Sequence, residues 1–292
     1  MSAVEGEDKR SGSRPYEDSE ALDSGEKDQA AEHSAPAAVV IHEIVRKDGE
    51  AELARGAGAT FWSGLAAGLS MGFSYLALAL IQSGLPEGSP RRLLDSPGYS
   101  LGFVIVILGR QQLFTESTLT AVLPFLVRRD RATWVALLRF WGIVLGANIL
   151  GTFIFARLIS IGGLFPGAVR SALEDLARDS VAGAFWPTLT KAMFAGWLIA
   201  LMIWLLPSAR SARLLVIMLL TYVVAIGRFS HIIAGSVEAF FAVFTGQASL
   251  YDYFAGFFLP TIVGNTIGGV ALVALLNHAP LATELQDSDV GP

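Results

Sequence analysis

The chain contains no cysteine, which excludes disulfide bonds, thiolate catalysis and cysteine-ligated metals. Charged residues are also scarce, at 16%, where soluble domains carry about a quarter. The four histidines are scattered and offer no clustered metal ligands. We find no phosphate-binding glycine loop, no nucleophile beside a base and no carboxylate pair poised for acid–base chemistry. We therefore expect no enzyme, no metal and no cofactor, and the isoelectric point near 5.4 gives no reason to expect nucleic acid as a partner.

Apolar sequence dominates instead: of 292 residues, 53% are hydrophobic, and the mean hydropathy is +0.53. A helix rises about 1.5 Å per residue and needs ~20 residues to cross ~30 Å of hydrocarbon. Six stretches reach that length, so we predict an all-α membrane protein with six transmembrane helices in contact with lipid. The stretches run approximately from Thr60 to Gln82, Tyr99 to Val127, Ala132 to Ile159, Gly183 to Leu206, Arg213 to Gly246 and Tyr253 to Asn277.

The two ends of the chain are polar. Residues 1–40 hold no apolar run that could pack, so we expect a disordered cytoplasmic tail. Residues 41–59 are predicted to form an amphipathic helix that lies on the membrane surface. Residues 60–277 form the predicted six-helix transmembrane domain, and residues 278–292 a cytoplasmic C-terminal tail. The start of the chain lacks the pattern of a secretory signal, so the first membrane helix would direct insertion.

Basic residues cluster beside alternate ends of the predicted spans. The positive-inside rule places these ends in the cytoplasm, together with both termini. The clusters are Arg46, Lys47 and Arg55 before the first span, Arg128, Arg129 and Arg131 after the second, and Arg210 and Arg213 after the fourth.

Two predicted spans contain polar interruptions that a helix facing lipid would not tolerate. The second span is interrupted at residues 109–117 and the fifth at residues 227–231, and both interruptions open with Gly-Arg. The spans that follow carry similar Gly/Asn segments at residues 146–151 and 264–269. We therefore predict two three-helix repeats with broken second and fifth helices. A repeat of three spans reverses direction in the membrane, so the repeats would be inverted about a pseudo-two-fold axis in the membrane plane.

Each broken helix is predicted to resume near the middle of the membrane, at about Ser117 and about Ser230. The N–H groups and the positive dipole ends of these half-helices would then face the centre, which favours an anion. The alternative is that glycine merely kinks two helices for packing. Interruptions at matching positions of both halves favour a transport pathway.

Three short motifs stand at the interruptions and in the last span. They are Leu113-Phe114-Thr115, Phe229-Ser230-His231, and the segment LPTIVGNTIGG at residues 259–269. Together they resemble the formate/nitrite transporter family, and within it the YfdC-like branch. The similarity in order and spacing extends from about Thr60 to about Asn277.

The resemblance implies an aquaporin-like protomer with its own pore, five of which form a homopentamer in the bacterial inner membrane. It implies transport of small monovalent anions of weak acids, such as formate or nitrite. In the family, the Leu-Phe-Thr loop narrows the pore, which assigns a constriction to Leu113 and Phe114. The threonine of that loop hydrogen-bonds a central histidine, which assigns this contact to Thr115 and His231. Phe229 and Ser230, next to the histidine, would line the same pathway.

The chain departs from the family pattern at several positions. The family's asparagine beside the histidine aligns with Gly196, and the acidic residue that commonly precedes the histidine is replaced by Ser230. The first interruption carries Arg110 and two glutamines where shorter and less basic residues are usual. These departures leave the fold unchanged and concern the substrate.

Four ionisable residues lie within the predicted spans, where such residues usually pair or face a cavity. We expect Arg110 to pair with Glu238, and Arg228 with Glu116, across the pseudo-two-fold axis. In the alternative interpretation, unpaired arginine charge draws anions into the pore.

An anion in a narrow apolar pore loses much hydration free energy unless a cation compensates its charge or a proton neutralises it. Histidine can do either near neutral pH, so His231 is the predicted central group. The alternative is an ordinary buried histidine bonded to a hydroxyl group. The predicted function is a channel or proton-coupled transporter for small anions. A pore for a small neutral solute, and a non-conducting scaffold or sensor that uses the acidic N-terminal tail, are the alternatives.

Overall fold

The computed structural model describes residues 19–86 and 90–275, and every regular element in these ranges is helical. Two π-helical segments, Asp252–Phe258 and Ile267–Leu275, flank α12 and form one continuous helix with it. The α-helices are α1 (Ser24–His33), α2 (Ala38–Ala54), α3 (Ala57–Gly84), α4 (Arg91–Leu108), α5 (Phe114–Thr120), α6 (Val122–Arg128), α7 (Arg131–Ile159), α8 (Gly167–Val181), α9 (Phe185–Ala209), α10 (Arg213–Ile226), α11 (Ile232–Phe244) and α12 (Leu259–Thr266).

Four helical stretches of the described chain are long and apolar enough to cross a membrane. In the third of them α9 and α10 pack against each other, because the chain reverses at Arg210, whose φ is 40°. Large apolar side chains are exposed along these helices, as expected of surfaces that face lipid rather than water. The stretches are Ala57–Gly84, Arg131–Ile159, Phe185–Ile226 and Asp252–Ala271.

The chain is interrupted between α4 and α5 and between α10 and α11, and the two interruptions have the same backbone geometry. Arg110 and Arg228 follow a glycine in each, with φ of 49° and 47°. Each interruption also makes the same run of turn hydrogen bonds, in which the residue after the arginine donates its N–H to a carbonyl five residues earlier, at 2.9 and 3.0 Å. This turn reverses the chain, so that α5 and α11 begin inside the protein.

An asparagine fixes the first re-entrant helix. The Asn148 Oδ1 atom on α7 accepts the N–H of Phe114, the first residue of α5, at 2.9 Å. Its Nδ2 atom donates to the carbonyls of Gln112 and Gly64 at 2.9 and 2.7 Å. Asn148 is fully buried, so its amide holds α3, α7 and the interruption together.

The second re-entrant helix is fixed in the same way. The Asn265 Oδ1 atom on α12 accepts the N–H of Ile232, the first residue of α11, at 2.8 Å. Its Nδ2 atom donates to the carbonyls of Ser230 and Ala192 at 2.9 and 2.8 Å. The two asparagines therefore make corresponding contacts in the two halves of the chain.

The helices meet at two opposite ends of the protein, which we call the α2 end and the α8 end. At the α2 end, Arg128 of α6 contacts Glu50 of α2 at 2.6 Å. At the α8 end, Arg228 pairs with Asp179 of α8. α4 runs from the α8 end to Arg110, which lies 3.7 Å from Asp48 at the α2 end. The chain then returns to the interior before α5 and α6 run back to the α2 end.

α2 overlaps the predicted interfacial helix at residues 41–59, but it begins earlier and packs against the ends of other helices. Gly49 lies so close to α5 that a Cβ atom there would be 1.9 Å from the carbonyl oxygen of Thr120. Trp204 of α9 is buried and faces His42 of α2. One side of α2, with His42, Val45 and Gly49, is thus covered by protein, whereas Val39, Val40 and Ile44 are exposed.

One helix, α1, lies in the predicted disordered tail, and another, α8, lies in the loop between the third and fourth predicted spans. Within residues 1–40 the described part includes α1, which begins with a capping box between Asp23 and Glu26. Residues 1–18 and the C-terminal residues 276–292 lie outside the described residues. α8 was not predicted either, because its many charged residues conceal an apolar stripe of Val169, Leu173 and Ala177.

Candidate functional site

His231 lies at the centre of the protein, between the two re-entrant helices. Its Nε2 atom is 2.8 Å from the Oγ1 atom of Thr115 on α5, and both side chains are buried. The predicted pairing of Thr115 with His231 therefore matches the contact that the structure shows. Phe103 of α4 covers the imidazole edge-on, with 5.0 Å between ring centroids.

The hydrogen bonds of His231 select one tautomer. The Nδ1 atom accepts the N–H of Ala234 at 3.1 Å, which caps the first turn of α11. A nitrogen that accepts an N–H cannot carry its own proton, so the proton of the neutral ring sits on Nε2. Nε2–H therefore donates to the hydroxyl oxygen of Thr115. A positive charge on this imidazole requires a proton on Nδ1, which would break the hydrogen bond that Nδ1 accepts from Ala234.

The hydroxyl hydrogen of Thr115 is left free by this arrangement. Its oxygen accepts from His231, and the hydrogen finds no acceptor among residues 19–86 and 90–275. A buried donor without an acceptor is costly unless a ligand satisfies it. Thr115 is thus a buried donor with a free hydrogen at the centre of the protein.

A cavity of about 140 Å³ leads from the α8 end to His231. Phe229 and Ser230 line it immediately before His231, and Phe229 stacks on Phe194 at 5.3 Å. Gly235 and Phe257 complete the inner wall. The cavity brings together three of the predicted pathway residues, Phe229, Ser230 and His231.

Leu113 and Phe114 lie on the other side of the central pair. Both are buried, and the Phe114 ring lies edge-on to Trp141 of α7 at 5.7 Å between centroids. Neither belongs to the lining of the cavity. The constriction assigned to them by the family resemblance therefore stays a prediction.

Gly196 has a packing role in this structure. A Cβ atom at Gly196 would lie 2.2 Å from the carbonyl oxygen of Asn265, so α9 and α12 touch backbone to backbone. Gly68 approaches Asn148 in the same way, also at 2.2 Å. The aligned position therefore leaves no room for the family's asparagine, and Gly196 is absent from the cavity wall.

The two predicted ion pairs across the pseudo-two-fold axis are wrong. Arg228 pairs with Asp179, and Arg110 lies 3.7 Å from Asp48. Each arginine emerges at the end of its own helix, because the left-handed turn directs it outward before the chain re-enters. Arg110 is 83% exposed, whereas Arg228 lines the cavity.

Glu238 and Glu116 are also separated from each other. Glu238 lines the cavity at the α8 end, on α11. Glu116 is on α5 and faces the α2 end, and its Oε1 atom is buried without a hydrogen-bond partner in the described part of the chain. Glu52 of α2 is an electrostatic neighbour of Glu116.

The N-termini of the re-entrant helices lie at the centre, as predicted, but at Phe114 and Ile232, with the first start three residues earlier than expected. The asparagine and histidine caps already occupy the N–H groups of Phe114, Ile232 and Ala234. The positive ends of both helix dipoles therefore face the centre, and some of the N–H groups at these ends already bond protein atoms.

Sequence reasoning missed several cavity residues. Of these residues, only Tyr99 was named in the sequence analysis, as the start of the second predicted span. α4 begins at Arg91 rather than at Tyr99, and this polar first turn could have indicated the cavity mouth. The missed residues are Arg92, Asp95, Tyr99, Asp179 and Lys191.

Comparison with known proteins identifies the family. The family profile described as formate/nitrite transporter matches residues 39–279. The chain belongs to the formate/nitrite transporter family. It is therefore a membrane transport protein of a family of channels and transporters, which agrees with the prediction that it is not an enzyme.

Individual relatives agree with this assignment. The chain is 42% identical to the inner membrane protein YfdC of Escherichia coli K12, over 92% of this chain and 87% of that protein. It is 24% identical to the formate channel FocA of the same organism, over 74% of this chain and 84% of that protein. A solved structure of a pentameric formate channel with formate bound superposes with a TM-score of 0.67 at 20% identity, over 77% of this chain and 98% of that chain. Within the family, the predicted similarity to YfdC is confirmed.

Proposed function

We propose that the chain carries small monovalent anions of weak acids, of the formate or nitrite type, across the bacterial inner membrane. The observation that supports this most directly is the Thr115–His231 pair. The imidazole of His231 lines the cavity and fixes the hydroxyl oxygen of Thr115, whose hydroxyl hydrogen is left free behind the cavity wall. A free donor in an apolar interior suits a small anion whose hydration has been lost.

The same proposal includes six spans in two inverted three-helix repeats. The matching contacts of Asn148 and Asn265, the two positive-φ arginines and the close approaches at Gly68 and Gly196 support this symmetry. The second and fifth spans are then the broken ones, each continued by a re-entrant helix.

We further propose a homopentamer with both termini in the cytoplasm. The pentameric channel of similar fold supports the oligomer. Arg46, Arg128 and Arg210 all contact groups at the α2 end, which the positive-inside rule would place in the cytoplasm. The α8 end, with its cavity, would then open to the outside.

Thr115→Val tests the proposed donor, because valine keeps the shape and removes only the hydroxyl group. A hydrogen bond to a charged partner contributes about 1.5–3 kcal/mol, so formate and nitrite flux should fall at least about tenfold. Flux into proteoliposomes would be followed with labelled formate, nitrite and a neutral polyol, with empty liposomes as background.

The matched control is Thr190→Val, which removes an exposed hydroxyl that bonds only its own helix. It should leave flux unchanged. Polyol flux without anion flux in the parent protein would contradict the proposed substrate class. Anion flux that Thr115→Val leaves unchanged would remove Thr115 from the pathway.

A further inference from the structure

The cavity at the α8 end carries balanced charge. Three basic and three acidic side chains line it, so the lining has no formal net charge when all six are ionised. A neutral lining of this kind offers an entering anion no net attraction. The six residues are Arg92, Asp95, Asp179, Lys191, Arg228 and Glu238.

Glu238 is the acidic lining residue that lies on α11, the helix that His231 caps. His231, Gly235 and Glu238 are spaced i, i+4 and i+7 and all line the cavity, so they share one face of α11. The carboxyl group is thus roughly 10 Å along the helix from the imidazole. Asp179, by contrast, is already paired with Arg228.

The groups that face Glu238 come from all the surrounding elements. Arg228 and Asp179 are its electrostatic neighbours, and the hydroxyl groups of Tyr75 on α3 and Tyr99 on α4 also lie within its field. On the more distant elements, Arg157 of α7 lies over Phe244, Arg170 pairs with Glu174 on α8, and Tyr253 bonds Ser236. Arg92, Asp95 and Lys191 face it across the cavity.

The α2 end carries a carboxyl group at the corresponding position. Thr120 lies six residues after Phe114, as Glu238 lies six residues after Ile232. Thr120 donates its hydroxyl hydrogen to Glu52 of α2 at 2.6 Å. In the second repeat the carboxyl group, Glu238, belongs to α11 itself. In the first repeat the corresponding carboxyl group, Glu52, comes from α2, which lies outside the repeat.

Glu52 can exchange a proton near neutral pH. Burial between α2 and α5 raises the pKa of Glu52, and the nearby charge of Asp48 also raises it. The hydrogen bonds from Thr120 and Gln112 and the charge of Arg110 lower it. The net result is a pKa of about 7. Its neighbour Glu50 behaves differently, because Lys47, Arg128 and Arg46 lower its pKa to about 2. Acidification from pH 8 to pH 6 therefore protonates Glu52 and leaves Glu50 ionised.

From this juxtaposition we propose that Glu238 and Glu52 carry the proton that accompanies the anion, one at each end of the pathway. At the α8 end, a proton from solution adds to a carboxylate oxygen of Glu238 and leaves the lining with one net positive charge, which admits one monovalent anion. Proton and anion then pass together. At the α2 end Glu52 takes up the proton and releases it to solution. The imidazole of His231 stays neutral and serves as a hydrogen-bond donor.

This inference rests on the proposed function and is tested by Glu238→Gln, which imitates the permanently protonated side chain. In the parent protein, formate flux should rise as the pH falls from 7.5 to 5.5, by up to roughly tenfold per pH unit for one proton. In Glu238→Gln, flux should be the same at both pH values and should respond to an imposed membrane potential. Asp175→Asn, at the same end but outside the cavity, should retain the parent's pH response.

The outcomes separate the two proposals. No formate or nitrite flux in the parent, above empty liposomes, would overturn the proposed function and this inference with it. Parent flux whose pH response survives in Glu238→Gln would overturn the inference alone. Glu238→Asp, which keeps a carboxyl group, should retain the pH response. If Glu238→Gln does not fold, the ratio of protons to anions in the parent decides, because the inference requires one and a ratio of zero overturns it.

Discussion

Asn265→Ala should destabilise the protein by about 3 kcal/mol or more. The substitution leaves the N–H of Ile232 and the carbonyls of Ser230 and Ala192 without the amide that satisfies them. Each orphaned buried group costs about 1–3 kcal/mol. The expected result is a lower thermal unfolding temperature in detergent, measured by size-exclusion chromatography after heating.

Asn148→Ala should have an effect of similar size, because Asn148 makes the corresponding three bonds. Thr190→Ala serves as the control, since its hydroxyl is exposed and bonds only Trp186. An Asn265→Ala protein as stable as the parent would show that the asparagine does not hold the re-entrant helix.

Gly196→Asn, which places the family's residue at this position, should prevent folding. The Cβ atom alone would stand 2.2 Å from the backbone of Asn265. Overpacking a tight contact costs about 1–3 kcal/mol even with flexible neighbours, and backbone cannot move aside as a side chain can. Gly196→Ala should therefore already reduce the yield of monodisperse protein, and Gly196→Asn should abolish it.

Gly146→Ala is the matched control for this pair, because a Cβ atom at Gly146 of α7 meets nothing within 4 Å. Alanine is a better helix former than glycine by about 1 kcal/mol, so this variant should be at least as stable as the parent. Normal yields for Gly196→Ala and Gly196→Asn would mean that α9 and α12 do not touch here.

The interruptions and the family could be predicted from the sequence because each leaves a local signal. Gly-Arg within an apolar run marks both interruptions, the three motifs indicate the family, and the resemblance to that family implied the contact between Thr115 and His231. The polar residues also predict that the chain must turn inside protein rather than in lipid. The direction of each turn leaves no such signal.

The ion pairs and the cavity could not be predicted, because they depend on that direction. The left-handed residues Arg110 and Arg228 send their side chains to opposite ends, where Asp48 and Asp179 come from helices outside the repeats. Residue type alone suggested a pairing across the centre. Likewise, an alignment identifies Gly196 as a missing asparagine, and only the packing of α9 on α12 shows why glycine is required.

Cysteine labelling at Ser230 tests most directly whether the cavity that reaches His231 is the transport pathway. The chain has no cysteine of its own, so Ser230→Cys would carry the only reactive thiol. Gly162→Cys, exposed between α7 and α8 and outside the cavity wall, is the control. A thiol reagent of the methanethiosulfonate type should block formate flux through Ser230→Cys and leave Gly162→Cys unaffected. Undiminished flux through Ser230→Cys, with labelling complete by mass spectrometry, would contradict the pathway.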